Sequence, residues 1–158
     1  MNNPAPGKEH ETKSQLLWPI HCVANSPGAA LIPEIESDRV DLFIHKGQHP
    51  QVEMYSAFAD AFGNLELAKS AGAVDIDLAL ALRQKAVTDV FVVGLAGDYC
   101  VKCTAIDAVR AGFRSWLIEE GTKCVVPTDW DKAKDELRAA GVSVIHIDDP
   151  VIKQLAAA

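Results

Sequence analysis

Apolar residues in this chain fall into short unbroken runs, separated by stretches in which they recur at helical spacing. Residues 90–94 (VFVVG) are continuously apolar, the pattern of a strand buried on both faces of a parallel sheet. Residues 115–118 and 142–147 are two further strand-like runs, and 40–45 (VDLFIH) is a fourth that stops at Lys46-Gly47. Between them, 76–86 places Leu78, Leu82 and Ala86 on one helical face behind Asp75 or Asp77 as cap. A helix starting at Tyr99 or Cys100 turns Val101, Ala105, Ala108 and Val109 inward, and Gly112 ends it. Thr128 or Asp129 caps another helix that runs to Ala140, with Gly141 beyond. Ser26-Pro27 reads as an N-cap and first helical residue, opening a short helix through Leu31. Four strands alternating with helices predict an α/β fold around a parallel sheet.

The first fourteen residues break this pattern. They are polar, carry Pro4, Pro6 and Gly7, and bury too little apolar surface to offset their ordering entropy, so 1–14 is expected as a disordered tail. Residues 15–158 are then one domain, in keeping with a total of 158. Fifteen Lys+Arg against twenty-two Asp+Glu give a net charge of −7, which disfavours a nucleic-acid partner and suits a small-molecule substrate. No apolar run approaches the ~20 residues that span a bilayer, and the start of the chain has no signal-peptide core. No membrane partner is expected, and the location expected is the cytoplasm, with the nucleus also compatible.

The residues with chemical potential cluster around the turn Gly94-Leu-Ala-Gly-Asp-Tyr-Cys100. A cysteine in the first turn of a helix meets unpaired backbone N–H groups and the positive end of the helix dipole, a setting that favours thiolate. The same N–H groups can hold an oxyanion formed when the sulfur attacks a carbonyl. Cys100 is therefore a candidate nucleophile; the competing reading is a buried structural cysteine. Cys100-Val-Lys-Cys103 also resembles a thiol redox pair, with Lys102 between the cysteines, although the Trp-Cys and Pro context of such sites is missing. Four ligands drawn from Cys100, Cys103, Cys22 and His21 are chemically allowed for zinc, but adjacent side chains in extended chain point apart. Lys46, at a strand's carboxyl end, lies where open α/β sheets place ligands; alone it reads as a solvated lysine. Asp98 reads as a helix cap before it reads as a base.

Together these segments resemble a known family. Leu17-Trp-Pro-Ile-His-Cys22, Ile44-His-Lys-Gly47, Tyr55-Ser-Ala-Phe58 and Val93-Gly-Leu-Ala-Gly-Asp-Tyr-Cys-Val-Lys102 occur in this order in nicotinamidases, which are isochorismatase-like cysteine hydrolases. The resemblance begins near Leu16 and implies a three-layer α/β/α, Rossmann-like fold with a parallel sheet. It implies that Cys100 attacks the carboxamide carbon of nicotinamide and that Lys46 is the basic member of the catalytic set. Ala96 and Cys100 would supply the oxyanion hole, with a cis peptide between Leu95 and Ala96. Tyr55 and Phe58 would lie by the substrate ring, Tyr99 beside the nucleophile, and His21 on a zinc-type metal. The implied reaction deamidates nicotinamide to nicotinate through a thioester, a step of NAD salvage.

The same resemblance implies differences. The family's catalytic aspartate and its Asp-x-His metal pair have no counterpart here, so the first two strands of the family sheet are expected to be missing. Only one of three metal ligands remains. The strands left unpaired are expected to close up, aggregate or pair with another copy as a homo-oligomer. Beside the amidohydrolase stand two alternatives: a catalytically dead remnant acting as a non-enzymatic protein, and a redox protein using Cys100 and Cys103.

Overall fold

A computed structural model describes residues 1–50, 52–65 and 72–156, and the chain divides into two compact units, Met1–Phe43 and Ile44–Ala158. In the second unit the elements run α1 (Leu78–Gln84), β1 (Asp89–Leu95), α2 (Cys100–Arg110), β2 (Arg114–Lys123), α3 (Trp130–Ala139), β3 (Ser143–Ile145) and α4 (Pro150–Ala156). The three strands form one parallel sheet in the order β1-β2-β3. Among the described residues no helix is long and apolar enough to cross a membrane.

The core follows the predicted periodicities. Val101 and Ala105 of α2 and Leu137 of α3 close on Val92 of β1 and Leu117 of β2, with Val142 completing the cluster. The opposite sheet face is more open: Val93 is 51% and Leu95 76% exposed, so β1 is buried on one face rather than two. Phe91 and Trp116 stack there, ring centroids 5.8 Å apart. Helix ends are marked as expected. Asp77 caps α1 by accepting from Leu80 N–H at 2.9 Å. Gly112 (φ 92°) follows α2 and Gly141 (φ 90°) follows α3, each in the left-handed conformation that stops a helix. Asp129 occupies the N-cap of α3 without a side-chain cap bond, after a 3₁₀ turn over Pro127–Asp129.

Three further expectations need correction. Residues 40–45 form no strand, and among the described residues the sheet has three strands, not four. Strand identity requires a ladder partner as well as apolar side chains; here the segment reaches only an isolated antiparallel bridge, Lys46 to Val74. The helix expected through Leu31 is a three-residue 3₁₀ turn, Pro27–Ala29, because Ser26 Oγ donates back to Val23 O at 2.6 Å and does not cap. β2 runs five residues beyond 118, since the register jumps from Val92↔Leu117 to Gly94↔Thr122. Thr122 Oγ1 donates to Ile118 O at 2.9 Å and closes that bulge.

The Met1–Phe43 unit is built differently. Residues 1–13 are held by hydrogen bonds rather than apolar burial: Met1 and Lys13 exchange backbone bonds, and Asn2 bridges Thr12. Large apolar side chains beyond it are exposed, Ile20 at 93% among them.

At the carboxyl end of β3, His146 Nδ1 lies 2.8 Å from Glu120 Oε1, and Glu120 Oε2 accepts from Ile147 N–H at 3.0 Å. The Glu120 carboxylate raises the His146 pKa above its ordinary 6.5, and the imidazole bond lowers that of Glu120. A raised histidine contributes stability that is full below its unfolded value and is lost as pH rises through the folded one. Melting of wild type and His146→Gln is therefore expected to differ at pH 6 and to converge by pH 9; equal melting temperatures at pH 6 contradict the pairing.

Candidate active site

β1 ends at Leu95 and α2 begins at Cys100, so residues 96–99 deliver the cysteine to the carboxyl end of the sheet. The Leu95–Ala96 peptide is cis, as the resemblance implies. Ala96 O accepts from Tyr99 N–H and Val101 N–H, each at 3.0 Å, which winds the turn directly into α2. Gly97 N–H donates to Lys123 O at 2.8 Å and seats this turn on β2. Gly97 has no room for a side chain: a Cβ there would lie 2.7 Å from Thr122 Cγ2, 3.0 Å from Cys124 Sγ and 3.1 Å from Trp130 Cζ3. The methyl belongs to a buried β-branched residue and the ring is rigid, so neither recedes easily. Gly97→Ala is expected to cost about 1–3 kcal/mol, as overpacking does. Thermal melting checks this, and an unchanged Tm would mean the turn has slack.

Asp98 neither caps α2 nor stands free as a base. Its two carboxylate oxygens accept from Val125 N–H and Val126 N–H, both at 3.0 Å, and tie the exit of β2 to the turn. A carboxylate short in sequence from a helix start finds better donors across the sheet than in the helix, whose N-cap is Tyr99 with no side-chain cap bond.

Cys100 is half-buried at the first position of α2, where backbone N–H groups have no acceptor within the helix. Lys46 Nζ lies 3.6 Å from its sulfur and donates to Met54 O at 2.8 Å. Lys46 is not delivered by a sheet strand. It sits on the antiparallel bridge to Val74, flanked by His45 N–H to Asp75 Oδ1 (2.9 Å) and Gln48 N–H to Ala73 O (3.0 Å). Val52, Met54, Ala73 and Val74 form the small core beneath it. Tyr55 faces Tyr99 with ring centroids 5.6 Å apart and planes at 47°. Phe58 is placed elsewhere: it is 4% exposed and packs with Phe113, Ala79 and Ala108, so it supports the aromatic turn from the core.

The remaining cysteines and the histidine behave differently. Burial pushes the Cys103 thiol up, away from the thiolate that disulfide exchange needs, and Lys102 is engaged with Glu136 at 2.6 Å. Burial, with Asp98 nearby, likewise raises Cys124. His21 lies in the Met1–Phe43 unit, exposed, with Nδ1 2.6 Å from Pro19 O. Among the described residues no three His, Cys, Asp or Glu side chains gather into a metal-binding group. One imidazole does not make a zinc site, so the donors present do not fit the expected metal. Sequence reasoning missed Met54, which acts through its carbonyl, and Thr104, whose Oγ1 accepts from Ala57 N–H at 3.1 Å. A backbone acceptor leaves no sequence signal, whereas Thr104 sits one helical turn after Cys100 and could have been noticed.

A parallel sheet whose first strand turns sharply into a helix headed by cysteine, with a lysine facing the sulfur, defines an α/β protein built around a thiol. The isochorismatase-domain model matches residues 5–149, and the chain belongs to that family. It is 36% identical over 141 residues to the nicotinamidase of Schizosaccharomyces pombe, a match covering 89% of this chain and 59% of that protein. It is 37% identical over 137 residues to the nicotinamidase of Escherichia coli, covering 85% and 60% respectively. Among solved structures, the yeast nicotinamidase bound to the inhibitor nicotinaldehyde superposes with a TM-score of 0.78 at 30% identity, covering 92% of this chain and 65% of that one. The chain thus spans about three-fifths of the length of the curated relatives it matches.

Proposed function

We propose that the chain is a nicotinamidase-type amidohydrolase in which Cys100 takes the acyl group of a small aromatic carboxamide, nicotinamide. The observation that carries this reading is the Lys46 ammonium 3.6 Å from a cysteine at the head of α2. The Cys100 thiolate attacks the carboxamide carbon; the carbon–sulfur bond forms as the carbonyl electron pair moves onto oxygen. The backbone N–H groups of Ala96 and Cys100 are the donors to that oxyanion. The thiol releases its proton to solvent before attack; as the adduct collapses, the carbon–nitrogen bond breaks and the nitrogen takes a proton back from solvent and leaves as ammonia. Water then cleaves the thioester to nicotinate and restores the thiol. Lys46 opposes the charge on sulfur, and Tyr55 with Tyr99 flanks the ring. No step is routed through a metal, because His21 alone cannot hold one.

Similarity to nicotinamidases supports this choice of substrate over other amides. The yeast enzyme takes nicotinaldehyde as an inhibitor, and an aldehyde on the same ring is an electrophile to which a thiolate adds reversibly. Nicotinaldehyde is therefore expected to protect Cys100 of this chain from iodoacetamide, read as the Cys100 adduct by peptide mass spectrometry. Equal alkylation with and without the aldehyde would defeat the proposal.

A further inference from the structure

We propose that Thr104 is a positioning residue that registers Lys46 against Cys100. The inference rests on the reading of Cys100 as nucleophile. The two members of the pair stand on different substructures: Cys100 on α2, and Lys46 on the bridge to Val74. Segment 54–57 links them. Met54 O accepts from Lys46 Nζ at 2.8 Å at one end, and Ala57 N–H donates to Thr104 Oγ1 at 3.1 Å at the other. Thr104 follows Cys100 by four residues in α2, so both side chains lie on one helix face, a turn apart. The segment therefore spans the face that presents the sulfur, and Tyr55, between the two attachments, meets Tyr99.

The contacts around this bond differ from it in kind. The buried Met54 side chain and the Ser56 Oγ bond from Phe58 N–H (3.0 Å) stiffen the turn within its own substructure. Phe58 packs on Ala108 and Phe113, but apolar burial is non-directional and permits sliding. The hydrogen bond at Thr104 is directional and fixes how far the turn stands along α2.

The test compares Thr104→Val, which keeps the shape and removes the acceptor, with Thr104→Ser, which restores the acceptor. Cys100 alkylation by iodoacetamide at neutral pH is followed by mass spectrometry; trypsin cleavage at Lys102 separates Cys100 from Cys103. Thr104→Val is expected to slow the reaction roughly three- to tenfold, as small losses of alignment do, and Thr104→Ser to stay within about twofold of wild type. Leu137→Val, a core change on α3, lowers the melting temperature and leaves the rate unchanged. A Thr104→Val rate equal to or above wild type overturns the inference, as does a Thr104→Ser or Leu137→Val rate as low as that of Thr104→Val. If Thr104→Val does not fold, hydrogen exchange in wild type decides: a protected Ala57 amide supports the inference and an unprotected one overturns it. Alkylation needs no nicotinamide, so absence of ammonia release from wild type would defeat the deamidase reading without touching this result.

Discussion

Cys100→Ala is expected to abolish ammonia release from nicotinamide, a loss on the order of 10³–10⁶-fold of the kind seen when a nucleophile is removed. The reason is stoichiometric: without the sulfur no thioester forms, and the other two cysteines of the Ile44–Ala158 unit, Cys103 and Cys124, are raised by burial. The substitution should leave the fold intact, because the Val92, Val101, Ala105, Leu117 and Leu137 cluster does not include Cys100. Parallel measurement of turnover and melting separates the two effects. Turnover surviving at more than a per cent of wild type would place the chemistry elsewhere.

Lys46→Met is expected to lower kcat on the order of 10²–10³-fold, the range for deleting one preorganised electrostatic contact. Methionine keeps much of the stem's length and removes the ammonium that donates to Met54 O and lies 3.6 Å from Cys100 Sγ. Lys46→Arg should not restore the rate, because a planar guanidinium cannot occupy the place of a compact ammonium held by one carbonyl. Steady-state kinetics on both variants check this. A Lys46→Met enzyme with wild-type kcat would return Lys46 to the status of a surface lysine.

What the sequence made legible follows from how local each signal is. The β1 run, the α2 face with Gly112 behind it and the α3 face with Gly141 behind it depend on nearest-neighbour periodicity, and all three appear in the structure. The cysteine at the helix head is equally local. Residues 40–45 failed because an apolar run specifies a strand only where a partner supplies the ladder. The far half of β2, Glu119 to Lys123, is charged and reads as loop; it becomes strand through its register with Gly94 and Leu95. Helix α4 is not among the predicted elements, although Asp149-Pro150 marks its start, with Val151 N–H bonded to Asp149 Oδ1 at 3.0 Å. The approach of Lys46 to Cys100 spans 54 residues, and no periodicity encodes it; only the family resemblance anticipated the pairing. Phe58, which the resemblance puts by the substrate ring, packs with Ala79, Ala108 and Phe113, contacts that no motif encodes.

The most direct test is ammonia release from nicotinamide by the purified 158-residue chain. Turnover that continues past one equivalent of ammonia, with nicotinate formed in equal amount, is the predicted result. A folded, soluble sample that releases no ammonia would contradict it and leave the Cys100–Lys46 pair without the reaction assigned to it.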